Sequence, residues 1–129
     1  MSAPVPPALR ITAAPEPVAA GGTLTYRVDV GRSAIAPQVT LHLPAGARHA
    51  KASGRGWLCE VATRSKDDYQ SADHIEAECS SARMGLGSAP LTVTIEAPTD
   101  AVTLRACATA VLKRAREGSE ACATSKVVP

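Results

Sequence analysis

Aromatic residues are scarce in this sequence, and asparagine is absent. Among the 129 residues there is no Phe, one Trp (Trp57) and two Tyr (Tyr26 and Tyr69). Ala and Val therefore supply most of the apolar side chains, which suits the thin layers of packed β-sheets. The same composition is poor material for a deep aromatic pocket that would bind a small molecule. Because there is no Asn, N-glycosylation is excluded.

Charge and hydrophobicity exclude further classes of protein. The formal net charge is +2, and the charged residues are spread along the chain. Nucleic-acid binding needs clustered Lys and Arg with stacking aromatics, so we expect no nucleic-acid partner. The sequence lacks an apolar run of about 18 residues, so we expect no direct membrane insertion. It opens without a signal peptide, so we expect an excised module of a longer, exported protein.

Catalytic motifs are also missing. The chain contains no Gly-x-Ser-x-Gly, no phosphate-binding loop and no His-Glu-x-x-His. We therefore predict that the protein is not an enzyme and that it needs no cofactor.

The main pattern in the sequence is an alternation of apolar and polar residues with a period of two. Residues 23–30 place Leu24, Tyr26, Val28 and Val30 on one face, as a half-buried strand does. Similar alternation occurs at 38–43, 74–79, 91–96 and 101–112, and further strands are predicted at 9–13, 57–61 and 120–128. About seven to eight short strands separated by turn residues predict an all-β sandwich or barrel. We expect an extended Pro-rich lead-in at 1–8 and a single domain at 9–129.

The chain has four cysteines, Cys59, Cys79, Cys107 and Cys122. An even number in a short chain allows three complete pairings. None of the four has Cys-x-x-Cys spacing, which weakens a zinc-ribbon or redox interpretation. Disulfides in a protein outside the reducing cytoplasm are the favoured interpretation, and buried free thiols in a cytosolic protein are the alternative.

The order of motifs along the chain is similar to that of a known family. The segments are GTLTYRVDV at 22–30, VTLHLPAG at 39–46, GWLC at 56–59, AEC at 77–79 and GSAPLTVTIEAP at 87–98. Over residues 17–128 they resemble the bacterial surface-repeat family known as domain of unknown function eleven. The resemblance implies an immunoglobulin-like antiparallel β-sandwich that serves as a stalk, adhesin segment or wall-associated spacer.

Two corners depart from the pattern of that family. GRSA at 31–34 stands where the family usually has an Asn-Gly-like corner, and GSEA at 118–121 stands where it usually has an Asn-Asn pair. Without Asn, the Lys–Asn isopeptide crosslink of some adhesin domains is chemically impossible.

Disulfides are the expected source of added stability. Cys107 and Cys122 flank the predicted final hairpin, and Cys59 and Cys79 flank a polar loop, so we predict these two pairings. Closing a loop of about twenty residues contributes about 3 kcal/mol in the chain-entropy model. A core of small side chains is weak, so such crosslinks are useful here.

The polar loop at 65–72 offers the first candidate binding surface. Asp67, Asp68 and Asp73 cluster carboxylates there, which suggests a calcium site, but a Gly-containing calcium-loop pattern is absent. A solvated loop is the favoured interpretation. Tyr69 is the best candidate for an exposed aromatic contact.

A basic tip and a tryptophan are further candidate sites. Arg114 and Arg116, with Lys113, form a basic tip that is either a solvated turn or a contact to an anionic glycan. We interpret Trp57, two residues before Cys59 on the same strand face, as a core residue beside a disulfide, and a binding-surface tryptophan is the alternative.

The three histidines raise the question of a metal. His42 and His74 occupy outward positions on different predicted strands, so zinc binding by both is conceivable if those strands pair. We favour exposed structural histidines at His42, His49 and His74, and we predict no metal site.

These observations predict a non-catalytic structural or adhesive module, extracellular or on the cell surface of a bacterium, with the periplasm as another possible location. The expected partner of this monomeric module is a protein or a surface glycan. The alternative function is a secreted recognition subunit that pairs an edge strand, 9–13 or 120–128, with a specific partner protein.

Overall fold

The described part of the chain consists of strands and their connections. The computed structural model describes residues 9–31, 38–81, 89–111 and 119–129. Within these ranges there are ten strands and no helix, which confirms the all-β prediction. In chain order they are β1 (Leu9–Ala14), β2 (Val18–Ala19), β3 (Thr23–Val30), β4 (Gln38–His42), β5 (Arg48–Ser53), β6 (Trp57–Arg64), β7 (His74–Ser81), β8 (Leu91–Glu96), β9 (Thr103–Val111) and β10 (Ser119–Val128). None of the described segments is a helix able to span a membrane.

The strands form two sheets. One has four strands in the order β1-β3-β8-β5, and the other has six in the order β2-β10-β9-β4-β7-β6. Neighbours are antiparallel except for the short parallel pair β2–β10. The first apolar run crosses between the sheets, because Pro15 and Pro17 interrupt the ladder after β1 and the chain resumes as β2 in the other sheet.

The core lies between the two sheets and contains the side chains that the alternation assigned to it. On β3, Leu24, Tyr26 and Val28 are buried, while Thr23 and Arg27 face solvent. The largest fully buried side chains are Tyr26, Leu24, Leu41, Leu43, Leu91, Ile95, Leu104, Val18, Val28 and Val93. Inward-facing alanines of β9 complete this layer at Ala106, Ala108 and Ala110.

Both predicted disulfides are present. Cys59–Cys79 joins β6 to β7, and Cys107–Cys122 joins β9 to β10. Each bond links residues that lie directly opposite one another in the sheet. Cys59 and Cys79 belong to the core side, whereas Cys107 alternates with core alanines and so faces away from the core.

Two strands were missed by the sequence analysis, β2 and β5. β5 has the sequence RHAKAS, in which only Ala50 and Ala52 alternate as apolar residues, and it forms an edge of the four-stranded sheet by pairing with β8. Its register shifts between Arg48 and Lys51, where His49 has a φ of 53°. This strand is therefore specified by its neighbour β8 rather than by its own pattern.

Trp57 is a core residue, as the sequence analysis proposed. Its side chain is buried, and its indole Nε1 donates a hydrogen bond to the carbonyl of Ala89 at 2.7 Å. The turn before it approaches the ring so closely that a Cβ at Gly54 would lie 2.7 Å from the Trp57 ring and 2.9 Å from the Pro90 carbonyl oxygen. Only glycine fits at this position without displacing its neighbours.

Tyr26 is fully buried, and within the described ranges its hydroxyl has no hydrogen-bond partner. Burial raises the pKa of Tyr26 well above its ordinary value. The unfolded chain would release this proton at a pH of about 10, whereas the folded chain retains it. The unfolded state then binds fewer protons than the folded state, so stability falls as the pH rises above about 10.

Replacing Tyr26 by Phe tests the assignment of the alkaline loss of stability to the buried phenol of Tyr26. At neutral pH the Tyr26→Phe variant loses no hydrogen bond, so its free energy of unfolding should stay within about 1 kcal/mol of the native value or exceed it. Urea unfolding at increasing pH should show a smaller alkaline loss of stability in this variant. Tyr69→Phe, which leaves the buried phenol in place, should keep most of that loss. An unchanged alkaline slope in Tyr26→Phe would contradict the assignment.

Candidate functional site

A group of polar side chains lies on the outer face of the six-stranded sheet, on the side away from the core. His42 ends β4, while His74 and Glu76 lie on one face of β7. The pairing of β4 with β7 places His42 directly opposite Glu76. Asp67, from the loop between β6 and β7, completes the group. We refer to these four residues as the His–carboxylate cluster.

The reactive atoms of the cluster converge. His42 Nδ1 lies 3.0 Å from Glu76 Oε1 and 3.5 Å from Asp67 Oδ2. His74 Nε2 lies 3.2 Å from Asp67 Oδ2 and 3.4 Å from Glu76 Oε1. Each imidazole therefore faces the same two carboxylate oxygens, and all four atoms lie within 4.8 Å of one another.

The cluster is largely buried although it lies outside the core. The side chain of His74 is 0% exposed, those of His42 and Glu76 are 10% exposed, and that of Asp67 is 30% exposed. The expectation of exposed histidines is therefore wrong for His42 and His74, because the β6–β7 loop folds over them. It is correct for His49, whose side chain is 75% exposed beside Glu96.

Hydrogen bonds outside the cluster orient its members. Asp67 Oδ1 accepts from the backbone N–H groups of Tyr69 at 2.8 Å and Gln70 at 2.9 Å, which directs Oδ2 at the imidazoles. His74 Nδ1 donates to the carbonyl of Ala72 at 3.0 Å. Glu76 Oε2 lies 3.6 Å from Arg64 Nε. The atoms that face each other are therefore held by a second layer of contacts.

The pKa of Asp67 follows from this environment. Desolvation alone would raise the pKa of Asp67, but the two backbone N–H groups and the neighbouring imidazoles of His74 and His42 stabilise the charged form. The net result is a pKa below the ordinary value, so this carboxylate is ionised at neutral pH.

The β6–β7 loop crosses the outer face of the sheet. The Tyr69 ring stacks on His42 with centroids 4.2 Å apart, and the Tyr69 hydroxyl donates to Glu120 of β10 at 3.2 Å. Gln70 Nε2 donates to the carbonyls of Arg105 at 2.7 Å and of His42 at 3.3 Å. The loop thus contacts β4, β9 and β10.

The remaining predicted site residues are placed differently. Asp68 and Asp73 are exposed at the loop surface, outside the His–carboxylate cluster. Tyr69 is half-buried by its stacking on His42 rather than projecting freely. Arg114, Arg116 and Lys113, like the lead-in at 1–8, lie outside the described residues. A binding surface formed by these residues stays a prediction.

The sequence analysis missed the cluster as a unit. Its one signal was the outward placement of His42 and His74 on two strands, to which the outward Glu76 could have been added. Asp67 could not be assigned, because it reaches the cluster only through the fold of a loop without periodicity. Chemically, two imidazole nitrogens and two carboxylate oxygens, of which only that of Asp67 belongs to an exposed residue, form a site for positive charge.

Comparisons with solved structures identify the fold. An uncharacterized protein from Nocardia farcinica, described as having an immunoglobulin-like fold, is 18% identical, with 94% of this chain and 98% of that chain covered and a TM-score of 0.57. The human F-spondin reeler domain is 14% identical, with coverages of 92% and 89% and a TM-score of 0.54. AvmM, which catalyzes macrocyclization in alchivemycin A biosynthesis, is 10% identical, with coverages of 95% and 89% and a TM-score of 0.52.

At these identities the likeness shows the fold alone. It confirms the predicted immunoglobulin-like β-sandwich. Neither a protein-family model nor a curated protein matches the chain. The resemblance to the surface-repeat family therefore stays a prediction.

The contacts of Gln70 predict that it anchors the loop. Gln70→Ala removes two hydrogen bonds from Nε2, so the free energy of unfolding should fall by about 1 kcal/mol. Hydrogen exchange at the Tyr69 and Gln70 amides should become faster, because the loop opens more often. Gln38→Ala, at an exposed position of β4, is the matched control and should change neither quantity. Equal effects of the two substitutions would show that Gln70 does not anchor the loop.

Proposed function

We propose that this chain is a non-catalytic structural or adhesive module that works outside the cytoplasm, on the surface of a bacterium, in its medium or in its periplasm. The observation that carries the proposal is the pair of disulfides, each of which links opposed residues on neighbouring strands. The partner that fits such a module is a protein or a surface glycan.

The disulfides support the location. Disulfides form and persist in oxidising compartments, whereas cytosolic thiols are kept reduced. The sequence separations of 20 and 15 residues correspond to about 3 kcal/mol for each bond in the chain-entropy model. For a core rich in alanine and valine, this is a large part of a typical net stability of about 5–15 kcal/mol.

The construction of the domain supports a role without catalysis. All four cysteines are disulfide-bonded, so none is available as a nucleophile. The space between the sheets is filled by side chains, and the His–carboxylate cluster lies on the outer face beneath a loop. The resemblance to surface repeats points in the same direction.

Removing the disulfides tests the proposal. A Cys107→Ala/Cys122→Ala variant should lose about 3 kcal/mol of unfolding free energy, and the same holds for Cys59→Ala/Cys79→Ala. In protein isolated from its native source, alkylation without reductant should leave all four cysteines unmodified. Cell fractionation should find the protein outside the cytoplasm. Free thiols throughout, in a cytosolic fraction, would overturn the proposal.

A second candidate function is recognition of a partner protein by an edge strand. β1 forms one edge of its sheet, as the sequence analysis required for 9–13. The run 120–128 is less open than expected, because β2 pairs with β10 at Val127 and Val128. β6 is the other edge of the larger sheet, and it exposes Leu58 (72%) and Val61 (43%). An added strand could pair with its backbone and cover these side chains.

A capture experiment distinguishes this candidate from a structural module. If β6 binds a partner strand, the protein should retain one stoichiometric partner from an extract of its source. Leu58→Asp should then weaken binding by about tenfold or more. Val102→Asp is the matched control, since Val102 is equally exposed (77%) but lies outside the strands. Equal retention by both variants would exclude β6 as the contact.

A further inference from the structure

We propose that the His–carboxylate cluster binds one divalent metal ion of the zinc class through His42 Nδ1, His74 Nε2, Asp67 Oδ2 and Glu76 Oε1. Two features support this site: the spacing of the four atoms, and the contacts that orient His74, Asp67 and Glu76. The inference does not depend on the function proposed above.

The spacing of the four atoms matches a tetrahedral site. Zinc bonds to imidazole nitrogen and carboxylate oxygen measure about 2.0–2.2 Å, so ligand atoms at the corners of a tetrahedron lie about 3.3–3.6 Å apart. The four imidazole–carboxylate separations are 3.0, 3.5, 3.2 and 3.4 Å. These four separations are close to the edges of such a tetrahedron, and all four atoms lie within 4.8 Å of one another.

The hydrogen bond of His74 to the backbone leaves one ring nitrogen for a metal ion. The Ala72 carbonyl can only accept, so His74 Nδ1 carries a proton, and Nε2 is the nitrogen that faces the other members of the cluster. Nε2 lies 3.2 Å from Asp67 Oδ2 and 3.4 Å from Glu76 Oε1. Two carboxylate oxygens and a ring nitrogen that face one another form a site for positive charge.

A single divalent ion suits this arrangement. Its charge balances the carboxylates of Asp67 and Glu76. It also bonds to all four atoms at once, whereas a proton serves one pair.

The contacts behind the ligands are those expected around a metal. A metal-bound histidine usually donates its other ring N–H to a carbonyl or carboxylate, as His74 does to Ala72. Asp67 is fixed through its second oxygen by backbone N–H groups, and Glu76 through its second oxygen by Arg64. These partners orient the ligand atoms before the ion arrives.

The ligand types select the metal and its role. Two imidazoles and two carboxylates favour zinc over calcium, which takes six to eight oxygen ligands. Four protein ligands fill the tetrahedral coordination of zinc, which is the arrangement of structural sites. The ion would join β4, β7 and the β6–β7 loop, and so would hold the loop against the outer face. This differs from the sequence-based expectation of no metal.

Zinc titration of the purified, disulfide-intact protein tests the proposal directly. After treatment with a chelator, the protein should take up one equivalent of zinc, measured by calorimetry and by competition with a chromophoric indicator. Cobalt should give the intense visible absorption of a four-coordinate ion, and calcium should not compete. Zinc should also slow hydrogen exchange at the Tyr69 and Gln70 amides, because it anchors their loop.

Variants locate the ion. His42→Gln and Asp67→Asn should each weaken zinc binding by about 100-fold or more, since even residues behind the ligands cost about 10–100-fold. Asp67→Asn keeps the oxygen that caps the loop, so it should remain folded by circular dichroism even if substitution of the fully buried His74 does not. Asp68→Asn and His49→Gln are the matched controls, and both should bind zinc like the native protein.

The absence of a stoichiometric zinc site in the folded native protein would overturn the proposal. So would unchanged zinc affinity in both His42→Gln and Asp67→Asn, or calcium binding as tight as that of zinc.

Discussion

Strand β4 lies between β7 and β9, and its register against them decides which side chains meet on each face of the larger sheet. Leu41 lies opposite Ala77 and Ala108, and all three are buried in the core. One residue further, His42 lies opposite Glu76 and Cys107 on the other face. Because side chains alternate along a strand, a slip of one residue would turn His42 into the core and Leu41 out of it. The core and the His–carboxylate cluster therefore depend on the same register.

Small side chains make this register compatible with close packing, but they limit the stability that burial can provide. Three alanines of β9 face the core, and each buries little apolar area compared with a leucine or phenylalanine. The disulfides stabilise the fold in a different way, because in the chain-entropy model they reduce the conformational entropy of the unfolded chain. Their positions are also complementary: Cys59–Cys79 lies on the core face of the sheet, and Cys107–Cys122 lies on the outer face.

The sequence predicted those parts of the fold that local patterns specify. β3 and β8 alternate clearly, and both cysteine pairs flank segments that form neighbouring strands. β5 was missed because the only alternating apolar residues of RHAKAS are two alanines, a weak signal, and its strand is formed by pairing with β8. The cluster was missed for a similar reason. His42 and Glu76 are 34 positions apart in sequence, and Asp67 meets them only after the loop has folded over the sheet. Long-range contacts of this kind leave no periodic trace in a single sequence.

The disulfides divide the larger sheet into two crosslinked hairpins, β6–β7 and β9–β10, with β4 between them and linked to neither by a covalent bond. β4 is short, and its pairing with β7 and β9 is what joins the two hairpins within this sheet. The β6–β7 loop adds contacts across this junction: Asp67 faces His42 and His74, Gln70 reaches Arg105 of β9, and Tyr69 reaches Glu120 of β10. The loop is thus a non-covalent link between the hairpins in addition to β4. A charged cluster is an expensive way to fix such a link unless its charges are balanced. Because the charges of the cluster are balanced on the outer face, beneath a loop, the core can remain apolar. The contacts on the outer face then join the two halves of the sheet.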